Sequence, residues 1–373
     1  METGRAGPRS PARPVRSRGP NARSGRTPCS IARSGGTCVA GSPRDRVSSR
    51  PFNGRESVTD RAAYDVPWLT RRAHRWYAKH TFHADDLSDN LFEQKRAQGV
   101  SISVALPAVD EGATVGRICR SIADALMPDL VDELVVLDGG STDDTAAIAR
   151  EAGATVVDAR ALLPDIPAVK GKGESLWRSL SILGGDLICW IDADIENFEP
   201  HFVSNLVAPL LADPAMMFVK AFYRRPIAYG GVVLPKGGGR VTELLARPLL
   251  NALFPELGGF IQPLSGEYAG RRDVLMQLPF FTGYSVEAGL LIDLLDVVGL
   301  DAIAQVDLGS RVHRNRPLDE LAPMAYAIAR AILRRAEEWG RLHAAQDHAQ
   351  PRRGRAAAAC RIDRRRRRRA FVT

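Results

Sequence analysis

Apolar and polar positions alternate in a regular rhythm between residues 102 and 191. Short apolar runs are separated by stretches with helical periodicity, such as the one that places Val115, Ile118 and Ile122 on one face. The apolar runs predict strands over 102–106, 133–137, 154–157 and 186–191. Strands that are apolar on both faces and alternate with helices predict an α/β fold with a mostly parallel sheet flanked by helices.

The pattern is less regular in the second half of the chain. Strands are expected over 216–223 and 301–307, and helices over 241–253, 286–298 and 318–345. A further helix is expected to follow Gly171 and to run through Trp177 and Leu180. The segment 64–100 is predicted to be partly helical and to pack on the main body or on a partner subunit through its aromatic residues Trp68, Trp76, Tyr77 and Phe82.

The basic charge of the chain lies at its two ends. The 373 residues carry a formal net charge of +8, but residues 1–50 hold 11 arginines against Glu2 and Asp45, and residues 351–373 hold 10 arginines against Asp363. The 300 residues between them therefore carry a net charge of −10. The segments 1–56 and 346–373, rich in arginine and poor in large apolar residues, are expected to be disordered.

Cysteine spacing and hydropathy bear on the compartment. The five cysteines form no C-x-x-C pair and no spacing typical of disulfides, which favours a reducing, cytoplasmic environment. No apolar run approaches the roughly 18 residues that a transmembrane helix needs, so no membrane span is expected.

Two carboxylates follow the strand predicted over 186–191. Asp192 and Asp194 flank Ala193, and side chains two positions apart in an extended chain point to the same side. Carboxylates held this close repel each other, and a cation would relieve the repulsion. Hard oxygen ligands suit Mg²⁺ or Mn²⁺, and such a metal most often carries the phosphates of a nucleotide. The alternative for this pair alone is an exposed turn with two solvated aspartates.

The loops after the first two strands have the composition of a nucleotide-sugar site, with Pro107, Ala108, Val109, Asp110 and Glu111 in one, and Asp138-Gly139-Gly140-Ser141-Thr142-Asp143-Asp144 in the other. Ser141 or Thr142 is predicted to cap the next helix, with Asp143 and Asp144 in its first turn. Because ligands of parallel sheets bind at the carboxyl ends of the strands, Asp138, Asp192 and Asp194 are expected to converge on one rim. Ordinary turns are also rich in these residue types, which is the alternative for each loop alone.

Two glycine-containing segments predict anion binding. Lys172 lies between two glycines at a helix start, where it could neutralise a diphosphate, although a solvated surface lysine is an equal alternative. The run Gly237-Gly238-Gly239-Arg240-Val241-Thr242 could form a second anion cradle, or a flexible loop. A basic cluster follows later, and in an acidic body it indicates a small substrate with both phosphate and carboxylate: Arg311, His313, Arg314, Asn315 and Arg316.

Two further residues carry open interpretations. His313 could be a third metal ligand beside the two aspartates, although a lone histidine is more often structural or exposed. Glu287, at the start of a predicted helix, could orient the acceptor hydroxyl or the sugar, although the helix dipole alone favours an acid there.

Several motifs together resemble known glycosyltransferases. A GT-A glycosyltransferase is indicated by L-P-A-x-D-E at 106–111, V-L-D-G-G-S-T-D-D at 136–144, G-K-G-E-S-L-W-R-S-L at 171–180 and I-D-A-D at 191–194. More specific runs resemble the actinobacterial glucosyl-3-phosphoglycerate synthases, family 81 of the glycosyltransferases: K-A-F-Y-R-R-P at 220–226, G-G-G-R-V-T-E-L-L-A-R-P-L-L at 237–250, Q-P-L-S-G-E-Y-A at 262–269 and the segment 300–321. The likeness covers roughly residues 65–335.

The resemblance implies a retaining transfer of glucose from UDP-glucose to the 2-hydroxyl of 3-phosphoglycerate, on the path to methylglucose lipopolysaccharides. It implies a homodimer that uses Mg²⁺ or Mn²⁺ and needs neither nucleic acid nor membrane. The donor would be held by Pro107, Ala108, Val109, Glu111, Gly139, Lys172, Asp192, Ala193 and Tyr284. The acceptor would be held by Gly239, Arg240, Val241, Thr242 and Asn315. The metal would be bound by Asp194 and His313, and catalysis would rest on Asp192, Asp194, Lys172 and Glu287.

The same resemblance divides the chain and reveals three departures. Residues 57–235 would form the GT-A nucleotide-sugar-binding region, and 236–345 the acceptor-binding and dimerisation region. Gly139 stands where the family has a serine, and Ala193 replaces the serine between the two aspartates. The C-terminal end of the family is not recognisable beyond about residue 340.

Two other functions compete with this one. A GT-A enzyme that transfers sugar to a polyprenyl phosphate would share the whole first half, but would usually need a membrane segment or an amphipathic docking surface. A nucleic-acid binder could use the arginine-rich ends, but the acidic body argues against this as the main role.

Overall fold

A computed structural model describes residues 69–87, 90–229, 232–234, 238–312 and 318–342, with the backbone alone given for 227–229 and 232–234. The two arginine-rich ends and Trp68 lie outside these residues. In the described part of the chain the strands are β1 Thr81–Phe82, β2 Ile102–Ala108, β3 Glu133–Asp138, β4 Thr155–Asp158, β5 Leu187–Trp190, β6 Phe218–Arg224, β7 Ile227–Tyr229, β8 Val232–Leu234, β9 Tyr268–Arg271 and β10 Ile303–Ser310.

The described α-helices connect and cover these strands. They are α1 Arg71–His80, α2 Leu91–Gln98, α3 Val115–Leu126, α4 Thr145–Glu151, α5 Lys172–Ser179, α6 His201–Ala212, α7 Arg247–Leu253, α8 Arg272–Leu275, α9 Val286–Val297 and α10 Leu318–Glu338. A π-helical turn over Thr242–Ala246 leads into α7. In the described residues, no helix is long and apolar enough to cross a membrane.

Eight strands form one sheet in the order β1-β10-β6-β9-β5-β2-β3-β4. All neighbours run parallel except at β9, which pairs antiparallel with both β5 and β6. The predicted α/β fold with a mostly parallel sheet is therefore confirmed. The sheet takes strands from both sides of residue 235, because β9 and β10 follow that position. A separate hairpin of β7 and β8 stands outside it.

Two apolar layers enclose the sheet. On one face α3 and α6 pack over the strands, with Ile118, Ile122 and Leu206 fully buried. On the other face α5, α7, α9 and α10 supply the second layer. The inner strands β2, β5 and β6 are covered on both sides, which is why they read as continuous apolar runs.

The N-terminal segment packs on the main body, as its aromatic residues predicted. Trp76 on α1 is 2% exposed, its ring centroid lies 4.4 Å from that of Phe260, and its indole N–H donates to the carbonyl oxygen of Ile303 at 2.8 Å. Since Ile303 opens β10, this contact fixes α1 beside the edge strand β1.

The predicted start of α4 is wrong. The helix begins at Thr145, with Asp144 at its N-cap position, so Asp143 precedes the helix instead of occupying its first turn. The Asp110 carboxylate accepts hydrogen bonds from the amides of Thr142 and Asp143, at 2.7 and 3.3 Å. These bonds hold residues 142 and 143 in the loop and prevent Thr142 from acting as a cap.

Candidate active site

A cavity of about 950 Å³ opens at the carboxyl ends of the strands. It is lined by every described residue to which the family resemblance assigned a role: Pro107, Ala108, Val109, Glu111, Gly139, Lys172, Asp192, Ala193, Asp194, Gly239, Arg240, Val241, Thr242, Tyr284 and Glu287. Two predicted residues, His313 and Asn315, lie outside the described part of the chain. The structure thus brings the predicted residues together, while their individual roles stay predictions.

One end of the cavity is formed by the loops after β2 and β3. Val109 is 49% exposed there, and the next residue, Asp110, has a positive φ of 56°. The carboxylate of Asp138 accepts from the amides of Gly140 and Ser141, at 3.2 and 2.9 Å, and so shapes its own loop. Asp138, Asp192 and Asp194 were expected to converge on one rim. Asp192 and Asp194 line the cavity, but Asp138 is not among the described cavity-lining residues.

Position 139 of this loop is tight. A Cβ atom built on Gly139 would lie 2.7 Å from the Cγ2 atom of Val109. A serine at this position would therefore require the Val109 side chain to move. Glycine leaves the loop surface flat at the point where the family motif has a hydroxyl.

The acidic pair lies at the centre of the cavity, just beyond the end of β5. Asp192 and Asp194 point to the same side, and the Nη2 atom of Arg311 contacts both, at 3.0 Å from Asp192 and 2.5 Å from Asp194. The Nζ atom of Lys172 lies 2.5 Å from the other Asp192 oxygen and 3.0 Å from Glu287. The repulsion that the sequence predicted is therefore relieved by two side-chain cations.

Arg311 has a different role from the one its sequence neighbourhood suggested. It was grouped with residues that would bind substrate, but its side chain is 4% exposed and its guanidinium is engaged by carboxylates, including Glu267 at 3.2 Å. The pairing of β10 with β6 continues past Ser310, because the Arg311 amide donates to the carbonyl of Arg224 at 3.0 Å. This bond places the Arg311 side chain where it reaches the acidic pair.

The charges of this network are fixed by their partners. Burial alone would lower the pKa of Lys172, but Asp192 and Glu287 outweigh it and hold that pKa well above its ordinary value. Burial would raise the pKa of Asp192, but Lys172 and Arg311 overcome it, so the pKa lies below the usual range. Lys172 is therefore a cation and Asp192 an anion at any physiological pH.

The start of α5 positions Lys172. Gly171 has a φ of 138°, which favours glycine, and a Cβ atom on Gly173 would overlap the carbonyl oxygen of Phe281. The first turn of α5 therefore lies directly against the chain segment that precedes α9. This close approach brings Lys172 within reach of Glu287 on α9 and of Asp192 after β5.

The opposite end of the cavity is formed by the glycine-rich segment. Gly239 has a φ of 76°, and the chain turns helical from Arg240 into the π-helical turn. Thr242 is 4% exposed, and residues 238–242 all line the cavity. The amides at the start of this helical segment are the donors that an anion requires.

Four polar residues between the two ends, three of them buried and Arg225 half-buried, had no role in the sequence-based prediction: Lys220, Tyr223, Arg225 and Glu267. The Tyr223 hydroxyl donates to Glu267 at 2.7 Å and accepts from Arg225 at 2.8 Å and from Arg311 at 2.9 Å. Lys220 donates to the carbonyl of Ser265 at 2.8 Å. The signal that could have found them is charge within an apolar strand, since K-A-F-Y-R-R combines a buried-strand pattern with three cations.

The described residues fit a divalent cation that is shared with a ligand. Asp194 offers hard oxygen atoms, lines the cavity and is one-third exposed. In the described part of the chain, no group of three or more histidines, cysteines or acidic residues could hold a metal ion alone. An ion here would be held by Asp194 together with oxygens of a bound diphosphate, and it would share that carboxylate with Arg311.

Comparison with known proteins assigns the family. A model of glycosyl transferase family 2 matches residues 103–274. The glucosyl-3-phosphoglycerate synthase of Mycobacterium tuberculosis (strain ATCC 25618 / H37Rv) is 53% identical over 258 residues, which are 68% of this chain and 79% of that protein. The chain belongs to the glucosyl-3-phosphoglycerate synthases.

Solved structures agree with this assignment. A crystal structure of the M. tuberculosis glucosyl-3-phosphoglycerate synthase in complex with Mn²⁺, UDP-glucose and phosphoglyceric acid has a TM-score of 0.61 and 52% identity, covering 66% of this chain and 83% of that one. The same protein has been solved with Mg²⁺ and UDP. Mannosyl-3-phosphoglycerate synthase from Rubrobacter xylanophilus has a TM-score of 0.68 and 41% identity, covering 74% of this chain and 87% of that one. The GT-A glycosyltransferase fold is thereby established.

Proposed function

We propose that this protein transfers glucose from UDP-glucose to the 2-hydroxyl of 3-phosphoglycerate, with retention at the anomeric carbon. The observation that carries the proposal is the cavity itself, which has a lysine–carboxylate network at its centre and the glycine-rich segment 238–242 at one end. The M. tuberculosis synthase, crystallised with Mn²⁺, UDP-glucose and phosphoglyceric acid, supports this choice of substrates.

The donor would lie with its uridine against the loops after β2 and β3 and its diphosphate beside Lys172. The Lys172 ammonium would stabilise the negative charge that grows on the departing diphosphate. Glu287, fixed by the same lysine, would face the sugar together with Tyr284. These roles, and those of the remaining donor residues, are part of the proposal.

The acceptor would lie against residues 239–242, with Arg240 and the helix-start amides binding its phosphate. In the transfer, the bond between the anomeric carbon and the β-phosphate oxygen breaks, and a bond to the acceptor's 2-hydroxyl oxygen forms on the same face. The hydroxyl proton passes to the departing diphosphate. A divalent cation bound at Asp194 and His313 would supply Lewis-acid stabilisation of that diphosphate.

A donor-by-acceptor panel tests the proposal. Three donors are each combined with 3-phosphoglycerate or a polyprenyl phosphate, with and without EDTA: UDP-glucose, GDP-glucose and GDP-mannose. The products are identified by mass spectrometry. We expect glucosyl-3-phosphoglycerate from UDP-glucose, and its loss with EDTA. A preference for polyprenyl phosphate as acceptor would overturn the proposal.

Mannosyl transfer is a second candidate, because the match to the R. xylanophilus mannosyl-3-phosphoglycerate synthase covers 74% of this chain, against 66% for the M. tuberculosis synthase. Its lower identity, 41% against 52%, favours the glucosyl reaction. The same panel separates the two, because a mannosyltransferase would yield mannosyl-3-phosphoglycerate from GDP-mannose.

We further propose a homodimer formed through α10. Tyr326 and Leu333 lie on the outward side of this helix, 66% and 38% exposed, seven residues and two turns apart. Apolar side chains in such a row are typical of a subunit contact.

Light scattering after size exclusion should give twice the chain mass, and Tyr326→Asp should shift the measured mass toward that of the monomer. A monomeric wild-type protein would contradict the proposal.

A further inference from the structure

Arg225 stands in the cavity wall between the acidic pair and the glycine-rich segment. We propose that its guanidinium binds the carboxylate of the acceptor and thereby selects a 2-hydroxy acid. This inference rests on the proposed function and assigns a specificity role to a residue that the sequence motifs left without one.

The backbone places Arg225 against the anion site. It follows the last residue of β6, and its side chain lines the cavity. Its carbonyl oxygen accepts from the amide of Gly238 at 3.2 Å, and a Cβ atom on Gly238 would lie 2.5 Å from the Arg225 Cβ atom. Only glycine allows the loop to approach so closely. The arginine therefore belongs to the same wall as the residues that would bind the phosphate.

Tyr223 holds the guanidinium in position. Its hydroxyl, on a side chain with no exposure, accepts from the Nη2 atom of Arg225 at 2.8 Å, and the guanidinium carbon lies 5.0 Å from the ring centroid. The same hydroxyl accepts from Arg311. Two guanidinium groups thus meet at one phenol oxygen, one under the acidic pair and the other beside the acceptor site.

The two arginines differ in their carboxylate partners. Arg311 forms ion pairs with three acidic side chains. Arg225 forms none within the described part of the chain, and the Nε atoms of both arginines are buried without a hydrogen-bond partner there. Arg225 is half-buried, and a desolvated guanidinium nitrogen without an anion is costly, so an anionic ligand would supply the missing charge.

The position of Arg225 indicates which acceptor anion it meets. Arg225 shares the Tyr223 hydroxyl with Arg311, which contacts Asp192 and Asp194, so it lies on the side of the acceptor site that faces the acidic pair. In 3-phosphoglycerate the carboxylate carbon is bonded directly to the carbon that carries the reacting hydroxyl, whereas the phosphate is one carbon and one oxygen farther away. The anion closest to the transfer point is therefore the carboxylate, and residues 239–242 remain for the phosphate.

The test compares Arg225→Gln with Arg240→Gln on three ligands. These are 3-phosphoglycerate, sn-glycerol 1-phosphate, which keeps the phosphate and the C2 configuration but lacks the carboxylate, and D-glycerate, which lacks the phosphate. Each is measured as acceptor by its KM or as competitive inhibitor by its Ki. UDP-glucose KM is recorded throughout, and Arg224→Gln is the matched control, since Arg224 is not among the described cavity-lining residues.

We expect Arg225→Gln to raise the KM for 3-phosphoglycerate by about 10- to 100-fold, the loss typical of a charged hydrogen bond. It should leave the Ki of sn-glycerol 1-phosphate and the KM of UDP-glucose within about twofold. Arg240→Gln should weaken both phosphate ligands and spare D-glycerate. Arg225→Lys should recover part of the loss, because it restores the charge.

Two outcomes would overturn the inference. If Arg225→Gln weakens sn-glycerol 1-phosphate as much as 3-phosphoglycerate, Arg225 does not read the carboxylate. If the KM of UDP-glucose rises equally, its role is structural or on the donor side. Should the glutamine variant fail to fold, Arg225→Lys is put through the same comparison, where a selective loss supports the inference and a uniform one rejects it. Failure of the proposed function is distinct, because the wild-type protein would then not use 3-phosphoglycerate at all.

Discussion

Asp192 and Asp194 have unequal surroundings although they lie two residues apart. Asp192 is bound by two cations, Lys172 and Arg311, and its side chain is 21% exposed, whereas Asp194 contacts Arg311 and is 34% exposed. A Cβ atom on Gly266 would overlap the Asp192 carboxylate, so that side chain is also confined sterically. Asp192 is thus a fixed part of the cavity floor, and Asp194 is the carboxylate that can accept a new partner.

Asp194→Asn tests this division of roles. The amide keeps the shape but removes the charge that a divalent cation needs, so turnover should fall on the order of 10²- to 10³-fold. Release of UDP from UDP-glucose and 3-phosphoglycerate measures the effect, and the unfolding temperature reports the fold. Asp129→Asn, an exposed aspartate remote from the cavity, serves as control. Full activity of the Asp194 variant would reject its metal role.

Lys220 makes stability depend on pH. Burial lowers the pKa of this lysine to about 7, against the opposing charges of Glu287, Glu267 and Asp192. Between that value and the ordinary 10.5, the unfolded chain binds the proton and the folded protein does not, so this group makes the folded state more stable as pH rises. The destabilisation of the folded state by the buried Lys220 charge is complete below pH ~7 and disappears above pH ~10.

Lys220→Met should therefore stabilise the protein more at pH 7 than at pH 9.5. The difference between the two pH values should be on the order of 3 kcal/mol, measured by chemical denaturation of variant and wild type. Lys95→Met, which removes a lysine paired with Asp132, is the control for the loss of an amine elsewhere in the fold. An equal effect of Lys220→Met at the two pH values would contradict the expected pKa of Lys220.

At the scale of residues, the sequence identified the site residues that belong to a local motif. It missed the residues whose role depends on partners that are distant in the sequence. Lys172 and Asp192 were named from local patterns, and the structure places them in contact. The partnership of Arg311 with Asp194 joins residues 117 positions apart, and no local pattern reports it. Tyr223 was missed for the same reason, because its hydroxyl bonds are made to distant residues.

At the scale of elements, the apolar runs predicted strands β2 to β6 and β10 and missed the two-residue edge strand β1 and the central strand β9. β9 contains Gly270 and Arg271 within its four residues and has no apolar run, yet it is a central strand of the sheet. Its extended form comes from pairing with β5 and β6 on both sides. α6 was missed because Pro209, a typical helix breaker, lies in its last turn, and the burial of Leu206, Leu210 and Leu211 stabilises it nevertheless.

The first turn of α5 gives a prediction at this scale. Gly173→Ala would force a methyl group into the carbonyl oxygen of Phe281, and α5 would have to shift with Lys172. We expect a destabilisation of about 1–3 kcal/mol and a clear loss of turnover. The matched control is Gly184→Ala, since a Cβ atom there would meet nothing within 4 Å. Equal effects of the two substitutions would show that the contact at Gly173 is unimportant.

At the scale of the whole molecule, the acidic body and the basic ends suggest separate properties. The cavity lining and every proposed site residue lie within 107–328, a part of the chain that excludes both arginine-rich segments. Affinity for polyanions would therefore come from the ends and would fall steeply with salt.

Deletion of residues 1–56 and 351–373 should accordingly leave kcat/KM for glucose transfer within about twofold of the full chain. The same deletion should abolish any salt-sensitive retention on heparin or DNA resin, because the remaining body has a net charge of −10. A large loss of transfer activity in the shortened protein would assign a catalytic or assembly role to these segments.

The antiparallel strand β9 also has a consequence for synthesis on the ribosome. β5 and β6 are both made before it, but they are joined in the sheet only through β9. A nascent chain that ends before residue 268 therefore has one four-stranded half of the sheet, β5-β2-β3-β4, with an exposed edge at β5, and a strand β6 whose two neighbours, β9 and β10, are still to be made. Both unpaired edges invite pairing with other chains, so the interval before β9 and β10 emerge is a time of need for a chaperone.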